Sequence, residues 1–247
     1  MPKAVATTVI IPALNEEATI GKVLDAIPAL ADKVIVVDNG SRDRTAEIAA
    51  QRGVEVVFEP QRGYGNACLA AMATLAPTGN PDAPVVVVFM DGDFSDDPTE
   101  MSRLVAPIIE KGYDLVVGSR VKGDCESGAL TGIQRFGNWL SCRLMRIFFG
   151  VEYSDLGPFR ALRWESLQKL EMDDTAYGWT VQMQVRAARL GMKITEVPVT
   201  YRNRAAGKSK VSGTFRGIVG AGTTILYVIF REALDATRSE ARCFRQT

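Results

Sequence analysis

Short β-branched runs alternate with amphipathic stretches through the first half of the chain. Residues 5–11, 34–38, 54–58, 85–90 and 115–117 predict strands, and residues 19–27, 45–52, 65–75 and 98–111 predict helices. The unbroken Val85-Val86-Val87-Val88 run reads as a strand buried on both faces, as in a parallel sheet. Asp43 or Ser41 stands where it would cap the second helix, and Pro98 opens the fourth. This β-α-β-α-β-α-β rhythm predicts a doubly wound, mostly parallel α/β sheet flanked by helices.

The second half is less regular. Residues 133–149 and 178–190 predict helices, and residues 159–163 and 193–201 predict strands, Pro198 marking an edge or a strand end. A glycine- and lysine-bearing loop, 203–213, leads into an apolar helix at about 215–234, and the tail from Ala236 reads as polar and frayed. No internal repeat or low-complexity linker divides the chain.

At 247 residues, 47% apolar and 23% charged, the composition is that of an ordinary globular protein. The chain has no histidine, which excludes His-based zinc sites, Ser-His-Asp triads and imidazole acid–base catalysis. Any metal must sit on carboxylates, which favours Mg²⁺ or Mn²⁺. Cys68, Cys125, Cys142 and Cys243 are scattered with no CxxC pair and read as reduced thiols of a cytoplasmic protein. The N-terminal stretch lacks the apolar core of a signal peptide. The longest uncharged apolar run, between Arg216 and Arg231, has 14 residues and three glycines, short of the roughly 20 that span a bilayer.

The formal charge of zero is a cancellation. Residues 1–123 carry 11 Lys/Arg against 17 Asp/Glu, and residues 124–247 carry 18 against 12. With no block of like charges, a general nucleic-acid binder is not expected. The acidic excess has a pattern, because in open α/β sheets ligands bind beyond the carboxyl ends of the strands. The first predicted strand leads into Pro12-Ala13-Leu14-Asn15-Glu16-Glu17, the second ends in Asp38-Asn39-Gly40-Ser41, and the fourth runs into Asp91-Gly92-Asp93. Alone, Asp38-Asn39-Gly40 reads equally as a plain turn, and Glu16 or Glu17 as an acid favouring a helix N-terminus. Carboxylates at three strand ends on one rim repel one another unless a cation neutralises them. Asp91 and Asp93, two residues apart at a buried strand's end, suit a divalent ion that bridges to phosphates. Arg62-Gly63-Tyr64-Gly65 follows the third strand, whereas a Rossmann fingerprint would follow the first, so an NAD enzyme is not expected.

Taken in order, Pro12-x-x-Asn15-Glu16, Val37-Asp38-Asn39-Gly40-Ser41-x-Asp43-x-Thr45, Arg62-Gly63-x-Gly65-x-Ala67, Met90-Asp91-Gly92-Asp93 and Gly118-Ser119-Arg120 resemble the motif series of family 2 glycosyltransferases, which have a GT-A fold. Asp155-x-Gly157-x-Phe159-Arg160 and Glu196-Val197-Pro198-Val199-x-Tyr201-Arg202-x-Arg204-x-x-Gly207-x-Ser209-Lys210 resemble the dolichol- or polyprenyl-phosphate sugar synthase branch. The resemblance spans residues 9–216. It implies a GT-A domain over residues 1–212, with 1–123 as the nucleotide-sugar half and 124–212 as the acceptor half, followed by an apolar helix and polar tail over 213–247.

The resemblance also implies roles. Pro12, Asn15, Glu16 and Asp38 line the base and ribose of a UDP- or GDP-linked sugar, Arg62 and Gly63 lie beside its diphosphate, and Asp91, Gly92 and Asp93 carry Mg²⁺ or Mn²⁺ on it. Arg120, Arg135 and Arg202, with Ser209 and Lys210, receive the acceptor phosphate. Asp91, Asp93, Arg120, Arg135 and Arg202 form the implied catalytic set, and the reaction inverts the anomeric carbon in one displacement. Departures stand out: Ser95 and Asp96 replace an amide and a histidine common in dolichol-phosphate mannose synthases, and Gln182 stands where Glu is expected. Gln is no base, so that position is structural or the chain is impaired.

A sugar hydroxyl acceptor needs a general base, whereas a lipid phosphate is already ionised. The absence of histidine and the neutral Gln182 therefore fit a phosphate acceptor better, although Asp93 or Asp155 remains available as a base. Residues 201–216 contain Arg202, Arg204, Lys208, Lys210 and Arg216 and no acid. Residues 133–149 combine Arg135, Arg143 and Arg146 with Ile133, Phe136, Trp139, Leu140, Leu144, Ile147 and Phe148. With the apolar run that follows residue 216, these amphipathic helices, 133–149 and 215–234, read as a peripheral contact with an anionic membrane surface on the cytoplasmic face. A core-packed helix with solvated arginines is the competing reading of 133–149. A soluble enzyme with a hydroxyl acceptor, and a catalytically weak nucleotide-sugar-binding protein, remain alternatives for the whole chain.

Overall fold

The computed structural model describes residues 6–206 and 215–243, with the side chains of 220–235 in its last helix. The first half alternates as expected: β1 (Thr7–Ala13), α1 (Ile20–Ala26), β2 (Lys33–Asp38), α2 (Thr45–Gln51), β3 (Glu55–Phe58), α3 (Tyr64–Ala73), β4 (Val86–Phe89), α4 (Met101–Lys111) and β5 (Leu115–Ser119). The second half adds α5 (Gly132–Phe149), β6 (Arg160–Arg163), α6 (Trp164–Lys169), α7 (Trp179–Arg189), β7 (Ile194–Pro198) and α8 (Phe215–Cys243).

Seven strands form one sheet in the order β3-β2-β1-β4-β6-β5-β7. All neighbours are parallel except β6, which runs antiparallel between β4 and β5. Strand β6 therefore inserts into the sheet begun by the first half. Side chains alternate between two apolar layers, as the period of two requires. Ile10, Ile35, Val87, Phe89 and Leu162 face α3, α7 and α8, whereas Val9, Ile11, Val36, Val88 and Ala161 face α1 and α4. All four residues of β4 are fully buried, but Val85, the first of the valine run, precedes the strand and is 39% exposed.

Departures from the expected boundaries have local causes. Pro98 opens a 3₁₀ turn, Pro98–Glu100, before α4, because Asp97 caps the Thr99 N–H at 3.1 Å and tightens that turn. Helix α5 begins at a capping box in which Thr131 and Gln134 satisfy each other's backbone N–H groups, and it stops at Gly150 in the left-handed region (φ 67°). Strand β7 ends at Pro198 on the sheet edge; beyond it Tyr201 makes single bridges to Asp96 and Cys125 rather than extending the strand. Helix α6 was not expected, being only six residues long. The tail is a correction: the helix continues through residues 236–243 instead of fraying, consistent with the good helix formers Ala, Glu and Arg there. Cys68, Cys125 and Cys142 are free thiols. Among the described residues, no helix is long and apolar enough to cross a membrane.

Candidate active site

A cleft of about 670 Å³ opens at the carboxyl ends of β1, β2 and β4 and extends to the α5 and α8 surfaces. Pro12, Glu16, Arg62, Gly63, Asp91, Gly92, Asp93 and Arg120 all line it, so most of the sequence-predicted site residues meet in one place. Asn15, Asp38, Arg135 and Arg202 do not line it. Ser209 and Lys210 lie outside the described residues.

The loop after β1 is built from the side chains of its neighbours. Asn15 adopts a positive φ of 50°, its N–H donates to Ser41 Oγ (2.9 Å), and its Oδ1 accepts the Arg42 N–H (2.7 Å). Asp38 accepts the Ser41 N–H at 2.9 Å, which is the turn-forming behaviour. Ser41 thus serves the Asn15 loop, and Asp43 instead accepts the Thr45 N–H at 3.1 Å at the start of α2. Asn39 ties this region to the next: its Nδ2 donates to the Glu59 and Gln61 carbonyls, and its Oδ1 accepts the Gly63 N–H at 2.8 Å.

The Gly63-x-Gly65 pair has a packing reason. A Cβ on Gly63 would lie 2.1 Å from the Thr175 carbonyl oxygen, and one on Gly65 would lie 1.9 Å from that of Asp174. These glycines let the backbone before α7 press directly on the loop that carries Arg62. By contrast, a Cβ on Gly92 would meet only ordinary contacts at 3.5–3.6 Å, so nothing within the described protein demands glycine there.

Beyond β4 the carboxylates crowd. Burial, then the neighbouring Asp93, pushes Asp91 up to about 7. Asp93 accepts Ser95 Oγ at 2.6 Å and pairs with Arg204 at 2.7 Å, and Arg204 also reaches Glu16 at 3.4 Å. Neither oxygen of buried Asp96 has a well-formed hydrogen bond. Burial, then Asp91 and Asp93, drives its carboxyl far above the ordinary range, against which Arg120 and the Asp91 backbone act only partly. The rim thus crowds the acidic groups anticipated from the strand ends, and Arg204 is set among them. Sequence reasoning assigned Arg204 and Asp96 no role in this cluster; the place of Arg204 in the loop after β7 gave no signal of a partner at Asp93. Among the described residues no three His, Cys, Asp or Glu side chains form a metal cage by themselves. Two carboxylates and an uncompensated third nearby suit a hard divalent ion that completes its shell with phosphate and water.

Arg120 is gripped by Asp155. Its Nε and Nη2 donate to the two carboxylate oxygens at 2.8 and 2.6 Å, its backbone N–H adds a third bond at 2.7 Å, and its guanidinium lies 5.0 Å from the centre of the Tyr201 ring. The Asp155 side chain is fully buried. A carboxylate so engaged is not available as a general base. Arg202 pairs with Asp97 and stacks 5.6 Å from the Phe94 ring, and Arg135 lies exposed on α5 with its Nε donating to the Leu130 carbonyl at 3.3 Å.

Gln182 is not in the cleft. It is fully buried in α7, where its Oε1 accepts the N–H groups of Asp173 and Asp174 (3.1 and 2.9 Å) and its Nε2 donates to Asp173 Oδ1. The position is structural, and it needs an amide because a carboxylate has no donor for Asp173. Gln182→Glu is therefore expected to lower stability by about 2 kcal/mol, since it removes a donor and adds a buried charge beside Asp173 and Glu232. It should not raise catalytic turnover; melting temperature and turnover measured side by side check this.

The chain resembles known proteins along most of its length. The family model Glycosyl transferase family 2 matches residues 8–179. Over 214 residues the chain is 39% identical to an uncharacterized glycosyltransferase of Mycobacterium tuberculosis, covering 87% of this chain and 93% of that one. It is 35% identical over 230 residues to a dolichyl-phosphate hexose transferase of Haloferax volcanii, covering 92% and 95% of the two chains. It is also 33% identical over 225 residues to an undecaprenyl-phosphate mannosyltransferase of Micrococcus luteus, covering 85% and 88%. A crystal structure of glucosyl-3-phosphoglycerate synthase from Mycobacterium tuberculosis, in complex with phosphoglyceric acid, superposes with a TM-score of 0.72 at 25% identity, covering 92% of this chain and 80% of that one. The sheet with its single antiparallel strand is that of the GT-A glycosyltransferases. Strand-end carboxylates, motif order and matching family model agree, and the chain belongs to glycosyl transferase family 2.

Proposed function

We propose that this glycosyltransferase moves a sugar from a nucleotide-sugar donor to a polyprenyl phosphate, with inversion and with Mg²⁺ or Mn²⁺ as cofactor. The observation that carries the reading is the composition of the cleft wall. Asp91, Asp93 and Arg62 share it with an apolar surface from Leu130, Ile133 and Ile225, a pairing that suits a charged donor and a lipid acceptor. Relatives named for dolichyl-phosphate hexose transfer and undecaprenyl-phosphate mannosyl transfer support it.

Asp91 and Asp93 would hold the divalent ion, which when bound offsets charge on the leaving diphosphate. Arg62, with its loop held by Asn39, would lie beside the same diphosphate. Arg204 would leave Asp93 for the anionic ligand as the ion takes its place. Arg120 keeps Nη1 without a hydrogen bond among the described residues, while Asp155 fixes the other two donors of its guanidinium. That makes it a preoriented clamp for an acceptor phosphate, with Arg135, Arg202, Ser209 and Lys210 as the further cationic and hydroxyl groups of the acceptor side. An ionised phosphate oxygen attacks without giving up a proton, so the commitment of Asp155 to Arg120 costs this reaction nothing. Pro12, Asn15, Glu16 and Asp38 would shape the nucleoside end.

The outer faces of α5 and α8 support docking on a membrane surface. Ile133, Phe136, Trp139, Ile147 and Phe148 on α5, and Tyr227, Phe230 and Leu234 on α8, are exposed, and Phe148 meets Phe230 edge-on with ring centres 5.5 Å apart. Ile133 also lines the cleft, so the apolar surface is continuous with the site. Such a surface beside Arg143 and Arg146 favours an anionic bilayer, and the anionic cytoplasmic leaflet is the surface it suits. The test uses anionic liposomes containing polyprenyl phosphate, labelled nucleotide sugars and Mn²⁺. The protein is expected to float with the vesicles and to move label into the organic phase. Label transferred only to aqueous hydroxyl acceptors would replace this reading with a soluble enzyme.

A further inference from the structure

Glu232 has only 1% of its side chain exposed, yet it faces three guanidinium groups. Arg186 Nε lies 2.9 Å from its Oε1, Arg189 Nη1 2.6 Å from its Oε2, and Arg231 Nη2 3.0 Å from its Oε1. Burial pushes this carboxyl up, but Arg186 and Arg231 outweigh it and hold it below its ordinary range. Burying so many charges is a poor way merely to join two helices, because apolar side chains do so as well or better. What the charges add is direction.

The network continues toward the cleft. Arg186 and Arg231 each lie 3.1 Å from Asp173 Oδ1, and Arg186 Nη1 also donates to the Leu170 carbonyl at 3.1 Å and to that of Glu171. Gln182 holds the N–H groups of Asp173 and Asp174 from below. The segment so pinned then supports the donor loop: the Asn66 N–H donates to Thr175 O at 3.1 Å and the Gly65 N–H to Ala176 O at 3.3 Å. This is the place where Gly63 and Gly65 leave no room for a Cβ. Arg62 and Gly63, at the far end of this chain of contacts, line the cleft.

We infer that Glu232 is a positioning residue for the nucleotide-sugar side of the cleft, fixing the 173–177 segment on which the Arg62–Gly63 loop rests. The inference rests on the donor reading proposed above. It also gives α8 a second task. The helix whose Ala221, Gly222 and Ile225 line the cleft carries, two to three turns later, the carboxylate that sets the donor loop. Donor binding is thereby mechanically tied to the seating of α8, although Glu232, Asp173, Arg186, Arg189 and Arg231 do not line the cleft.

The experiment is calorimetric titration of UDP and of GDP, each with Mn²⁺, into wild type, Glu232→Gln, Glu232→Asp and Asp173→Asn, together with donor KM and kcat. In Glu232→Gln the Kd of whichever nucleotide binds, and the donor KM, are expected to rise about tenfold, with kcat at saturating donor within about twofold. Asp173→Asn should shift both in the same direction by about threefold, and Glu232→Asp, which keeps the charge, should recover most of the loss. Wild-type nucleotide affinity and donor KM in both Glu232→Gln and Asp173→Asn would overturn the inference and leave only a structural ion cluster. If Glu232→Gln does not fold, Asp173→Asn decides alone, since that side chain is 58% exposed. A wild-type protein that binds neither nucleotide overturns the donor reading, and the inference with it.

Discussion

Replacing Asp91 or Asp93 with alanine is expected to lower kcat/KM for sugar transfer by about 10³-fold or more, the scale of losing a principal electrostatic stabiliser of the leaving group. The same change at Asp91 should make the metal-free protein more stable at alkaline pH. Its carboxyl is raised from 3.8 to about 7 by burial and by Asp93, so the folded state prefers the neutral form. The stabilising effect of that preference is complete below the unfolded pKa and is lost as pH rises through about 7. Above it, the folded protein holds an ionised group that the unfolded chain would solvate better, a cost of up to about 4 kcal/mol. Asp91→Asn in EDTA is therefore expected to melt above wild type at pH 8 and to match it near pH 3. Loss of activity with gain of stability separates a binding carboxylate from a structural one; transfer at the wild-type rate in both Asp91→Ala and Asp93→Ala would remove the metal assignment.

Asp155→Ala is expected to be the most destabilising change in the cleft region. It removes three bonds to Arg120 and leaves a largely buried guanidinium uncompensated, which costs about 3–5 kcal/mol in such sites. For a chain of this size that corresponds to a fall in Tm of about 10 °C. Activity should fall as well, because Arg120 loses the bonds that orient its guanidinium at the cleft wall. The double variant Asp155→Ala/Arg120→Leu should recover part of the stability but none of the activity, so the pair is strongly coupled in a double-mutant cycle. Strictly additive effects on Tm would show that the ion pair is not what holds this corner.

Much of the site was readable because its residues follow one another at strand ends. Asp91-Gly92-Asp93 leaves a fully buried valine strand, and Pro12, Glu16 and Arg62-Gly63 follow neighbouring strands, so their convergence follows from the sheet alone. Other features became legible only in the fold. Asp38 accepts the Ser41 N–H, the turn that Asp38-Asn39-Gly40 also allowed in the sequence. The odd Gln182 proved to be a buried strut beside Asp173 rather than a lost base. The Gly63-x-Gly65 pair, part of the family motif series, is explained physically by two carbonyl oxygens from residues 174 and 175, which no local pattern announces.

The sequence by itself determined the alternation of strands and helices, the family, and which carboxylates stand at the strand ends. These depend on side-chain periodicity and on residues adjacent in the chain, and such signals survive without knowledge of the fold. Only the tertiary structure decided which charges meet. It set Arg204 on Asp93 and Glu16, locked Arg120 to Asp155, left Asp96 uncompensated, and gathered Arg186, Arg189 and Arg231 around Glu232. An ion pair is made through space, and in a buried site its strength depends on burial and on every neighbouring charge. Neither the distance nor the burial is written in residue order, so the balance of acidic and basic halves became specific partners only when the chain folded.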